Sequence, residues 1–254
     1  MTGIEIALVK FRNQLNRLFP SGNKRPFASA IITAAGSGTR MGGVSKQRFL
    51  LAGKPCLLYS LQAFENCEGI DEIIITAKSG EEEEILALCQ ANSISKLSMV
   101  VTGGQTRQES VKNGFIHIHH DAELVAIHDA ARPLIEPTQI QILLDAAKRY
   151  GASCAAAKMV DTVKMGNTQN MIEKTIPREG LFTVQTPQVF KSDLYRVSLA
   201  LAEKDGIAVT DDCSLAEHAG FPIKLCLISS CNLKLTNPED ARILSTLLED
   251  RKNG

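Results

Sequence analysis

A cluster of glycines followed closely by two cations is the first feature of this chain whose residue types and spacing suggest chemistry. Ala30-Ile31-Ile32-Thr33-Ala34-Ala35 is an apolar run ending in small residues, and Gly36, Gly38 and Gly42 follow it at G-x-G-x-x-x-G spacing. The run reads as a buried strand, and the glycines let the backbone turn back tightly and offer N–H groups to an anion. Arg40 lies inside the loop and Lys46 just beyond it. A plain turn would account for the glycines but not for the cations, which suit a triphosphate whose charge exceeds what backbone dipoles neutralise. The loop is not a P-loop, because no Gly-Lys-Ser/Thr follows at the required spacing. It fits the dinucleotide fingerprint poorly, and no acidic residue ends the next strand to hold a ribose, so a nicotinamide-dependent dehydrogenase is disfavoured.

The elements around this loop must place it. Residues 2 to 18 form an approximate amphipathic helix, with Ile4, Leu8, Phe11, Leu15 and Leu18 among its apolar positions, and Pro20-Ser21-Gly22-Asn23-Lys24 has linker composition. Residues 1–27 are therefore expected to be an extension of a domain spanning 28–250. From residue 28 the rhythm is strand, helix, strand. Strands are expected over 28–34, 73–76, 97–102, 124–127 and 152–157. Helices are expected over 57–64, from the acidic start Glu81 to Glu84, from the capping box Thr106-Arg107-Gln108-Glu109 to about residue 117, and over 137–149. Such units imply an α/β, doubly wound, mostly parallel sheet with right-handed crossovers, in which ligands sit outside the carboxyl ends of the strands. The Gly36 loop, the Gly103-Gly104 loop and the segment Asp129 to Arg132 each follow a strand and should converge on one edge. Residues 158–186 break the rhythm with alternating and turn signals, and are expected to form a β-arm projecting from the sheet. Helical signals return at 191–203 and 211–219, a strand is expected at 224–228, and Asn237-Pro238-Glu239-Asp240 opens a last helix.

Composition narrows the function. Over 254 residues, 28 basic and 28 acidic side chains cancel. That balance lacks the positive excess normal for a nucleic-acid or membrane surface. No apolar run approaches the roughly 18 residues needed to span a bilayer, and no signal-peptide core opens the chain, so a soluble cytoplasmic protein is expected. Seven cysteines are scattered without a C-x-x-C pair. They indicate neither a zinc site nor a disulfide framework, and are expected to be reduced, semi-buried core residues.

Five segments in order resemble the 2-C-methyl-D-erythritol 4-phosphate cytidylyltransferases of the non-mevalonate isoprenoid pathway, over about residues 28 to 250. They are Ala34-Ala35-Gly36 through Arg40-Met41, Lys46-Gln47, His128 through Pro133, Gln185-Thr186-Pro187-Gln188, and Asn232-Leu233-Lys234-Leu235-Thr236 with Pro238-Glu239-Asp240. The resemblance implies a Rossmann-like nucleotidyltransferase that moves a cytidylyl group from CTP to a polyol phosphate and releases pyrophosphate. By the same similarity, Arg40 and Lys46 contact the CTP phosphates and stabilise the transition state, and Mg²⁺ bridges phosphate oxygens. Ala34, Ala35, Gly104 and Ser110 surround the cytosine beside the Gly36–Gly38 loop, and Asp129 lies near the ribose and the metal. Arg132, Thr162, Arg178, Thr186 and Lys234 would form the acceptor pocket, with the arm reaching into the neighbouring subunit of a homodimer.

The chain departs from the family pattern at Ser45, where proline is usual, at Arg48, where an aromatic is usual, and at Gln105, where an acid is usual. D-Ribitol 5-phosphate cytidylyltransferases share the fold and most motifs and are the nearest alternative. The alanine pairs at 34–35 and 130–131 favour the methylerythritol enzymes. A non-catalytic nucleotide-binding protein is the more distant alternative, and would be expected to have lost Arg40, Lys46 or Asp129.

Overall fold

The computed structural model describes residues 25–36, 48–229 and 231–253. The helix and linker expected over residues 2 to 24 lie outside the described residues, as do Gly38, Arg40 and Lys46. Arg25 makes a two-point ion pair with Asp71, at 3.0 and 2.6 Å, and Phe27 stacks on His119.

In chain order the first half comprises β1 (Ala28–Ala34), the short hairpin β2 (Leu50–Leu51) and β3 (Lys54–Pro55), α1 (Cys56–Glu65), β4 (Glu72–Ala77), α2 (Glu82–Ala91), β5 (Leu97–Thr102), α3 (Arg107–Phe115) and β6 (Leu124–Asp129). The second half comprises α4 (Pro137–Tyr150), β7 (Ala152–Lys158), β8 (Val163–Gly166), β9 (Ile172–Ile176), β10 (Phe182–Lys191), α5 (Ser192–Lys204), α6 (Asp212–His218), β11 (Lys224–Leu227) and α7 (Pro238–Asn253). Seven strands form one sheet in the order β11-β7-β10-β6-β1-β4-β5.

β1 runs parallel to both β4 and β6 inside this sheet. Its run of small and β-branched residues suits a strand covered on both faces. Ala28, Ala30, Ile32 and Ala34 face a core built with α1, α2 and α4, while Ile31 faces a second core built with α3, α5 and α6. Burying each such isoleucine contributes about 1.5–3 kcal/mol. α3 lies close against β1 because Gly114 has no side chain: a Cβ there would stand 2.8 Å from Ile31 Cγ2. A third, smaller cluster joins β2 and α1 to α7 through Leu51, Cys56, Leu235 and Leu244.

The structure differs from the sequence reading at one central strand. β10 runs antiparallel between β6 and β7, whereas residues 182–186 were expected to belong to the arm and no strand was expected beyond them. Proline cannot donate to a ladder, so Pro187 argues against a central strand. The chain accommodates it by a register shift: Val184 pairs with Ala156 and Gln188 with Cys154, so residues 185–187 bulge out of the ladder. The arm itself is the β8–β9 hairpin, a separate two-stranded sheet.

All seven cysteines are free and six are buried, deeper than expected. Burial pushes the Cys56 and Cys89 thiols up to about 12 and 11, which leaves them unreactive at neutral pH. Among the described residues no helix is long and apolar enough to cross a membrane.

Candidate functional site

The three loops that follow β1, β5 and β6 meet at the carboxyl edge of the sheet around a cleft of about 770 Å³. Ala34, Ala35 and Gly36 form one wall, Gly103 to Arg107 with Ser110 another, and Asp129 to Ala131 with Lys234 the floor. The Gly103-Gly104 corner is steric in origin. A Cβ on Gly103 would stand 2.4 Å from the Ala35 Cβ, and one on Gly104 would stand 2.2 Å from the Glu109 Cβ. The capping box then fixes how α3 leaves the corner. Glu109 N–H donates to Thr106 Oγ1 at 3.1 Å, and the Glu109 carboxylate accepts from the backbone N–H groups of Thr106 and Gln105. Ser110 Oγ accepts from Gly104 N–H at 3.0 Å and donates to Thr106 O at 2.9 Å, so this hydroxyl shapes the loop from within.

Asp129, the last residue of β6, gathers the charges. Its Oδ1 accepts from Arg107 Nε at 2.9 Å and from Thr33 Oγ1 at 3.3 Å, and its Oδ2 accepts from Lys234 Nζ at 2.5 Å. Burial opposes ionisation, but Arg107 and Lys234 outweigh it and hold the carboxyl well below the usual carboxylate range. Arg107 continues inward, donating from Nη1 to Asp212 Oδ2 at 2.7 Å, and Asp212 Oδ1 accepts from the buried Tyr195 hydroxyl at 2.7 Å. Among the described residues, Arg132 makes no ion pair with Asp129. Its Nη1 donates to Asn232 O at 2.9 Å, and burial lowers its affinity for a proton.

The bulge in β10 aims Thr186 at the same point. Thr186 Oγ1 accepts from Asp129 N–H at 3.0 Å and stands 3.1 Å from His128 Nδ1. Arg132 O, 3.3 Å from His128 Nε2, can only accept, so the proton of the neutral ring sits on Nε2. Nδ1 is therefore an acceptor, and the Thr186 hydroxyl donates to it. Both ring nitrogens of this fully buried, neutral imidazole are in use, and burial pushes its pKa down to about 3 from an ordinary 6.5. Because the folded value lies below the unfolded one, the unfolded chain binds more protons between these limits. The contribution of His128 to stability is complete above about pH 6.5 and is lost as pH falls towards 3, at about 1.4 kcal/mol per pH unit. Thermal melts should therefore show His128→Gln losing less stability than the parent between pH 7 and pH 5; equal losses in the two proteins would contradict this reading of the histidine.

Of the expected site residues, Ala34, Ala35, Gly36, Gly104, Ser110, Asp129 and Lys234 line the cleft. Arg132, Thr186 and Lys234 line an adjoining cavity of about 410 Å³ that shares Arg107 and Asp129 with it. Thr162 and Arg178 line neither. Both are exposed on the arm, where Arg178 Nη1 donates to Val160 O. The departure at Arg48 points its guanidinium at Glu84 and Glu81 of the acidic α2 start. Arg107 and Asp212 were not singled out from sequence. One signal was present: a cation in the first turn of a helix opposes the dipole and calls for carboxylate partners.

Comparison with known proteins fits this arrangement. The profile of the family described as "IspD: 2-C-methyl-D-erythritol 4-phosphate cytidylyltransferase" matches residues 28–250. A 2-C-methyl-D-erythritol 4-phosphate cytidylyltransferase of Desulforamulus reducens is 40% identical over 228 residues, covering 87% of this chain and 96% of that protein. One of Clostridium novyi is 41% identical over 229 residues, covering 88% and 97%. Among solved structures, 4-diphosphocytidyl-2C-methyl-D-erythritol synthase of Anaerococcus prevotii superposes with a TM-score of 0.79 at 29% identity, covering 88% of this chain and 96% of that one.

Proposed function

The chain belongs to the 2-C-methyl-D-erythritol 4-phosphate cytidylyltransferase family, and from that premise we propose which of its residues carry the reaction. The protein transfers the cytidylyl group of CTP to 2-C-methyl-D-erythritol 4-phosphate. A phosphate oxygen of the acceptor attacks the α-phosphorus, the bond from that phosphorus to the bridging oxygen breaks, and pyrophosphate leaves in line. The acceptor phosphate is already ionised, so no protein nucleophile or general base is needed, and catalysis rests on positioning and on neutralising charge. The observation that carries this assignment is the meeting of the two cavities at Asp129, Arg107 and Lys234, one cavity lined by the glycine loops and the other by Arg132 and Thr186.

Cytosine lies against the small residues Ala34 and Ala35 and the backbone at Gly104, with Ser110 holding that loop in shape and Gly36 and Gly38 opening the phosphate loop. Arg40 and Lys46 take the triphosphate and the charge that develops on it. Lys234 and Arg132 orient the acceptor's phosphate, Thr186 sets the wall of its pocket with a hydroxyl already bonded to His128 and to Asp129 N–H, and the cytoplasm is the compartment in which we place the enzyme. The cleft fits Mg²⁺: it offers one carboxylate that is not a helix cap, Asp129, and Mg²⁺ favours one or two carboxylates with substrate phosphate oxygens and water completing its shell. Bound there, the ion would screen the phosphates and assist departure of pyrophosphate.

The arm accounts for Thr162 and Arg178. They stand away from their own cleft on a hairpin that exposes Val160, Met171 and Ile172, so in a two-fold dimer each arm can complete the partner's acceptor pocket. Complementation tests the whole assignment. Arg178→Ala and Lys46→Ala chains, each nearly inactive alone, should recover when unfolded and refolded together. An arm serving the other subunit leaves one intact site in each mixed dimer, or about a quarter of all sites after random pairing. No activity above that of the parents would sink the shared site, and an inactive wild-type control would sink the function.

A further inference from the structure

Asp129 is shared by two cations that are held very differently. Arg107 leaves the first residue of α3 and spans two carboxylates, Asp129 Oδ1 at 2.9 Å and Asp212 Oδ2 at 2.7 Å. Asp212 is itself fully buried and fixed by the Tyr195 hydroxyl, and Tyr195 is packed between Phe115 and Phe190. The fork therefore cannot turn without breaking a buried ion pair. Lys234 reaches Asp129 Oδ2 from an irregular segment, on a flexible stem whose side chain is 39% exposed, and among the described residues its ammonium makes no second bond.

We propose that Arg107 is a positioning residue: it pins Asp129 in place, so that Lys234 is the cation that lets go and turns to the acceptor's phosphate when that group enters. The inference rests on the function assigned above and adds to it the reason why Lys234 is available. When Lys234 leaves, Arg107 keeps the carboxylate neutralised. Without Arg107, release would leave the buried carboxylate with no side-chain cation of the protein beside an incoming dianion, a like-charge contact in a place of low dielectric. Lys234 would then stay with Asp129, and the acceptor would lose its partner.

Arg107→Lys tests this, because lysine keeps one charge but cannot reach both carboxylates. Steady-state kinetics should show kcat lower by roughly tenfold or more and the KM for the acceptor higher by roughly fivefold or more, with the KM for CTP within about twofold. Asp212→Asn, which leaves Arg107 in place but loosens its anchor, should move the acceptor KM in the same direction, and it carries the test should the lysine variant fail to fold. Calorimetric titration with inorganic phosphate needs no turnover, and affinity should fall from wild type to Asp212→Asn to Arg107→Lys. A residue that only supports the fold would lower the yield of active enzyme and affect both substrates alike. Equal rises in both KM values, or phosphate affinity unchanged in a folded variant, would overturn the proposal. Wild-type protein inactive towards the acceptor would refute the assigned function, and the phosphate titration would still read the brace.

Discussion

Replacing Lys46 with alanine should lower cytidylyl transfer by roughly a hundredfold or more, the scale of losing one preorganised charge stabiliser. As CTP reacts, negative charge grows on the bridging oxygen and the departing pyrophosphate. A fixed ammonium gains more from that charge than from the ground state, so its loss falls on kcat. Lys46 follows a strand that ends in the glycine loop, and Ala34, Ala35 and Gly36 at that strand's end line the cleft. Among the described residues the clusters that hold the sheet are built from Ile31, Ile32, Phe64, Phe190 and their neighbours, and truncating a lysine removes no side chain from them. Circular dichroism and melting temperature should match the parent. Near-normal turnover in a folded Lys46→Ala enzyme would remove the role given to this residue.

Asp129→Asn should damage both the fold and the chemistry. The asparagine keeps the shape but sets an uncharged amide against Arg107 and Lys234, two cations that Asp129 neutralises across 2.9 and 2.5 Å. Breaking a fully buried pair by removing one partner costs about 3–5 kcal/mol; Lys234 can turn to solvent and Arg107 keeps Asp212, so the loss here should lie at the low end, about 3 kcal/mol. For a chain of this size that is a fall in melting temperature of roughly 10 °C. Turnover should drop further than stability alone explains, since the same carboxylate orients Lys234. The native carboxyl is held low, so its stabilising effect is present above an unfolded value of 3.8 and is lost as pH falls below it. The asparagine variant should show a smaller loss of stability on acidification below about pH 4. A variant melting with the parent and turning over normally would contradict the central place given to Asp129.

These two residues also mark what could be read before the structure. The convergence of the Gly36, Gly103 and Asp129 loops follows from parallel strands, whose carboxyl ends share an edge, and the cleft is lined by all three. Lys234 is different. It reaches Asp129 across 105 positions of sequence from an irregular segment, and no local spacing announces that; only the family motif pointed to it. β10 was hidden by Pro187, which reads locally as a break, whereas the fold turns that break into the bulge that aims Thr186 at Asp129. Asp211-Asp212 reads as a helix start, and Asp211 is indeed the cap of α6, bonded to Ser214 N–H. Its neighbour Asp212 is recruited as the inner anchor of Arg107, a partnership that tertiary packing alone creates.

Pyrophosphate release from CTP and Mg²⁺, measured in parallel with 2-C-methyl-D-erythritol 4-phosphate and with D-ribitol 5-phosphate, tests the central claim most directly. A kcat/KM at least roughly a hundredfold higher for the methylerythritol phosphate is the predicted result, since a pocket that hydrogen-bonds one polyol leaves buried polar groups unpaired with another. Preference for ribitol phosphate, or no release with either acceptor, would contradict it.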